Sequence, residues 1–138
     1  TSLWASRVTQ QVQFRARQHA HDVAKRGELY SDFIEEASRS FAHANENDIT
    51  DASNLVRLYA LVSQMRMLSS QLVIEQADGV MRMIIETYRN PNKSIHKTLA
   101  NNVSSDVLSN RELDPLRDFS YACRSELNND GFSVVSQR

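Results

Sequence analysis

The chain has 138 residues, 41% of them hydrophobic and 24% charged. That is long enough for one domain with a real core and too apolar for a disordered segment. Three glycines and two prolines are too few for a strand-and-turn protein, which leaves few, long helices. The net charge of −1 hides an asymmetry, because residues 1–27 hold Arg7, Arg15, Arg17, Lys25 and Arg26 against Asp22 alone. A basic arm therefore precedes an acidic body. Cys123, the single cysteine, excludes an internal disulfide and offers no metal cluster. The sequence has no run of 18 apolar residues and no signal peptide, so it predicts no membrane span within the chain.

Helical phase, taken at about 100° per residue, organises the chain. Ala5, Val8, Val12, Ala16, Val23, Tyr30, Phe33, Ile34, Ala37, Phe41 and Ala44 share one face, and the stripe holds phase through Gly27. This predicts one helix over 3–44, about 60 Å long, with Gly27 as a bend or weak point. The polar run 45–51 reads as a loop. A second helix follows over 52–68, and Ser69 and Ser70 are cap residues. The third helix spans 71–89, with Val73, Ala77, Val80, Met81, Ile84, Ile85 and Tyr88 on its apolar face. Its outer face carries Asp78–Arg82 and Arg82–Glu86 pairs at i,i+4. Asn90-Pro91-Asn92 stops it.

Residues 93–113 read as a connector with two short helical turns. Asp114-Pro115 is a helix start, and the last helix spans 115–128 with Leu116, Phe119, Ala122, Cys123 and Leu127 inward. Asn129-Asp130-Gly131 reads as a turn into a tail. The expectation is an all-α antiparallel bundle of about four helices. Residues 1–27 form a basic stalk continuous with the first helix, 28–128 the bundle and 129–138 the tail. No other helix is long enough to cover the stalk.

The stretch LVRLYALVSQMRMLSS (55–70) places Arg66 in the inward sector of an apolar helix. Burying a lone guanidinium costs several kcal/mol, so it needs a partner. The up-down topology puts Glu126 at the same height, and predicts an Arg66–Glu126 pair joined by the Tyr30 hydroxyl. Arg57 and Asp118 would form a second rung.

His19 and His21, two apart on a helix, point about 160° away from each other and cannot chelate a metal. His21, beside Lys25, Arg26 and Gly27, is the one phosphoacceptor candidate, though the spacing departs from the histidine phosphotransfer pattern. His43 and His96 read as isolated and exposed, and Cys123 as a buried structural thiol. Met65, Met67, Met81 and Met83 read as core filling. No phosphate loop, nucleophile elbow or His-Glu-x-x-His occurs. No cofactor, metal or catalytic residue is called for.

LVRLYALVSQMRMLSS together with DPLRDFSYACRSEL (114–127) resembles a family of uncharacterised bacterial proteins. In that family an N-terminal membrane-spanning helix precedes a small helical soluble domain. The resemblance implies an anchor upstream of this chain, in the bacterial inner membrane, with the domain on the cytoplasmic side; the alternative is a cytoplasmic soluble protein. It assigns no activity. The basic residues Arg7, Arg15, Arg17, Lys25 and Arg26 suit that place, because cytoplasmic juxtamembrane segments are rich in Lys and Arg. The expected function is a non-enzymatic interaction or scaffold module. Its partners would be a protein or a second copy along the N-terminal helix, and an anionic membrane surface. Nucleic acid is not expected, because the acidic body repels phosphate. The alternative function is histidine phosphotransfer through His21.

Overall fold

The computed structural model describes residues 2–46, 53–89 and 114–135. They form four helices: α1 (Ser2–Glu46), α2 (Ser53–Leu68), α3 (Gln71–Arg89) and α4 (Arg117–Val135). The predicted loop after residue 46 and the connector 93–113, with His96, lie outside the described residues.

Helix α1 runs unbroken through Gly27 for 45 residues. A side chain at Gly27 would meet nothing within 4 Å, so this glycine is not required by packing. Ser69 and Ser70 form the link between α2 and α3. Ser69 N–H donates to the Met65 carbonyl at 2.8 Å, and the Ser70 carbonyl accepts from Ile74 N–H at 3.2 Å. So short a link makes α2 and α3 antiparallel neighbours.

At the start of α4, the Asp114 carboxylate accepts from Leu116 N–H at 3.2 Å and its carbonyl accepts from Arg117 N–H at 3.2 Å. Two of the orphan donors of a helix start are thereby satisfied. The start signal is where it was read. The stop is not: Asn129, Asp130 and Gly131 stay helical, and α4 continues to Val135. The expected turn there is overruled by the contacts that Asp130 makes with Arg26 and His19.

The core follows from the helical periods. Leu29, Tyr30, Phe33, Ala37 and Ala44 of α1 meet Leu58, Val62 and Met65 of α2. Val73, Ala77, Val80, Ile84 and Tyr88 supply the α3 face, and Phe119, Ala122 and Cys123 that of α4. Burying each large member of this set contributes about 1.5–3 kcal/mol. Phe119 is the hinge between α1 and α4, with its ring 4.7 Å from Phe33 and edge-on to Tyr30 at 6.1 Å. Met65 is fully buried whereas Met67 and Met83 are exposed and Met81 is partly so, so only one methionine fills the core outright. His43 is corrected too: it is half-buried, and its Nδ1 lies 3.1 Å from the Tyr88 hydroxyl.

Candidate functional site

Two features stand apart from the plain core. One is a polar cluster where α1, α4 and the α2–α3 link meet. The other is the uncovered first part of α1.

The cluster is centred on Glu126, which α4 brings down on the α2–α3 link. Its carboxylate accepts from the Tyr30 hydroxyl and from Ser70 N–H, and the Arg26 guanidinium lies 3.7 Å away. Tyr30 also reaches the Ser69 hydroxyl at 2.7 Å. Ser70 precedes the first turn of α3, so the carboxylate caps that helix and sits at the positive end of its dipole. Arg26 extends to a second carboxylate, Asp130, whose carbonyl oxygen lies 3.0 Å from His19 Nε2. These contacts hold residues 126–130 against α1 and explain why Asn129-Asp130-Gly131 does not turn.

Burial, then the hydrogen bond to Glu126, raises the Tyr30 hydroxyl pKa well above the ordinary tyrosine range. Burial, then the Glu126 charge, pushes the Cys123 thiol up to about 12. Both shifts favour the neutral forms, and the contacts of the cluster join α4 to α1 and to the α2–α3 link.

This arrangement corrects the predicted ion pairs. Arg66 does not reach Glu126. It lies 3.2 Å from Asp78 of α3, 6.0 Å from the centre of the Tyr59 ring, and its side chain is 46% exposed. The height was right, since Ser69 and Ser70 at the end of α2 do touch the Tyr30–Glu126 pair. The azimuth was wrong, because the buried line of α2 is Leu58, Val62 and Met65, and Arg66 falls on its rim. Tyr30 joins Glu126 as expected, but the cation is Arg26. Arg57 reaches the buried Glu36 of α1 at 3.7 Å in place of Asp118. Asp78 thus turns to α2, so the expected Asp78–Arg82 pair gives way to a bridge between helices. Arg66, Asp78 and Arg82 rim an open groove of about 290 Å³ floored by Val62, Met81 and Ile85, too shallow to enclose a ligand.

The uncovered part of α1 comprises residues 3–18, every one of which is exposed. Trp4 is 80% exposed and Phe14 69%, with Leu3, Val8 and Val12 also open. Arg7, Arg15, Arg17, Lys25 and His21 are exposed. Arg26 leaves the basic set, because it is mostly buried between Glu126 and Asp130. Its membership was misread because charge alone does not show on which side of a helix a cation meets a carboxylate. Residues 126–130 of α4 accompany α1 to the level of His19, so the last helix covers more of α1 than its predicted length allowed.

No helix among the described residues is long and apolar enough to cross a membrane, and no group of three or more His, Cys, Asp or Glu among them could hold a metal. Set against known protein families, curated proteins and solved structures, the chain matches none.

Proposed function

We propose that this chain is the helical domain of a membrane-anchored bacterial protein and acts as a non-enzymatic interaction or scaffold module. The observation that supports this reading is the arm formed by residues 3–18 of α1. The core closes from Leu29 onward without it, yet it carries Leu3, Trp4, Val8, Val12 and Phe14 in the open. Large apolar side chains that stabilise no core of their own chain are explained by contact with something else. An anchor upstream would hold the arm beside the inner leaflet, where its cations are favoured.

The test is alkaline carbonate extraction of membranes from cells that make the full-length protein. Retention in the membrane pellet is the expected result, and release into the supernatant would remove the anchor.

A second reading, histidine phosphotransfer, is favoured by the exposure of His21 with Arg17 and Lys25 one turn to either side. Those cations suit a phosphorylated imidazole. Incubation with a small phosphodonor should then leave acid-labile phosphate on His21, and its absence would end this reading.

A further inference from the structure

We infer that the arm binds the surface of an anionic bilayer through one ridge of α1, formed by Leu3, Arg7, Phe14, Arg17 and Lys25, with Trp4 between this ridge and the Val8–Val12 stripe. The inference rests on the reading of the arm as the contact element, but it does not require the anchor.

At about 100° per residue, Leu3, Arg7, Phe14 and Lys25 fall within a 40° arc, and Arg17 lies roughly 40° beyond. All five are exposed. Between residues 2 and 21 the chain has no acidic side chain. A ridge that alternates aromatic or aliphatic side chains with cations, and lacks acids, matches the boundary between headgroups and acyl chains. There the apolar groups enter the hydrocarbon edge while Arg and Lys stay among the phosphates. Trp favours the same depth.

Position decides which face of the arm a flat surface can reach. The centre of the ridge lies about 120° around α1 from the centre of the face turned to the bundle, which comprises Leu29, Tyr30, Phe33, Glu36, Ala37 and Ser40. A plane can therefore lie along it without meeting α2–α4. The other exposed stripe, Val8 and Val12, continues the phase of the core-facing residues, so the bundle stands in the way of a plane there. Further along α1 the ridge line becomes acidic, with Glu28, Asp32 and Glu35 all exposed. Anionic lipid attracts the arm and repels this part of the body, which confines the contact to the arm.

Trp4 is the single tryptophan, so its fluorescence reports on the arm alone. The experiment adds vesicles to this chain, either of phosphatidylcholine alone or of phosphatidylcholine mixed with phosphatidylglycerol. The expected result is a blue shift of Trp4 emission and quenching by bromine-labelled acyl chains. Binding should be on the order of 100-fold tighter on the anionic vesicles, from three or more cations near the surface, and should weaken with added salt. Arg7→Glu with Arg17→Glu should abolish it, and Phe14→Ser should weaken it, with circular dichroism unchanged in both.

Absence of a shift on anionic vesicles overturns the inference, as does equal binding to neutral ones. A shift that grows with protein concentration in the absence of lipid would assign the arm to a second copy. Equal binding to a DNA duplex would assign it to phosphate polymers. Carbonate extraction of the full-length protein and vesicle binding by this chain fail separately, so loss of one leaves the other standing.

Discussion

The two halves of α1 carry apolar side chains in the same helical phase and meet opposite surroundings. Tyr30, Phe33 and Ala37 are enclosed by three other helices, whereas Trp4, Val8 and Val12 are open. The difference lies in length: α2 and α3 have 16 and 19 residues, about 24–29 Å at 1.5 Å per residue, and their link ends beside Tyr30. An amphipathic period therefore shows that a helix has a face to hide, and the lengths of its neighbours decide whether it is hidden by its own chain.

This contrast can be broken most forcefully at its two phenylalanines. Phe33→Ala should cost about 3–5 kcal/mol in urea unfolding, because its ring is fully buried against Phe119. Phe14→Ala should stay within about 0.5 kcal/mol. Comparable losses at both would mean that the arm has a partner in the free protein.

Next in size is the base of the arm. Glu126→Gln should cost about 1–3 kcal/mol, since it removes one of the two carboxylates that Arg26 meets and weakens the cap on α3. Arg66→Met should cost under about 1 kcal/mol, because its pair with Asp78 is solvent-exposed. The double variant should show simple additivity, the groups having no shared partner.

Alkaline pH acts on the same region. The Tyr30 and Cys123 pKa values are raised in the fold, so above about pH 9 the unfolded chain loses protons that the folded chain keeps. Stability is full below that point and should fall as pH climbs towards 12. Cys123→Ala should flatten the earlier part of that fall, read as urea midpoints across the range.

The smallest effect is expected where the halves join. Gly27→Ala should stabilise by about 0.5–1 kcal/mol, since the site is helical and open. Destabilisation would show that the native helix bends there.

The all-α bundle, the continuity of α1 and the bounds of α2 and α3 were legible because a sustained period and a proline or serine punctuation act locally. The α1 phase at Gly27 carried that reading. Arg66 was not legible, because α2 is apolar nearly all round: Val56, Tyr59 and Met67 are exposed opposite Leu58, Val62 and Met65. A wheel without contrast cannot say which sector faces inward. The end of α4 was missed for a related reason, because Asn129-Asp130-Gly131 favours a turn locally and is overruled by Arg26 and His19, more than a hundred residues earlier.

Glu126 also bears on the order of assembly. It binds Tyr30 across a separation of 96 residues and closes the cap of α3 only once α4 has been made. During synthesis α1, α2 and α3 emerge first, with Phe33 uncovered and the amide of Ser70 turned to water. The chain can complete its core only at the end, and the ordering of distant segments makes that step slow relative to the local winding of each helix. A chain cut before residue 117 would keep three helices and lack the one that seals them.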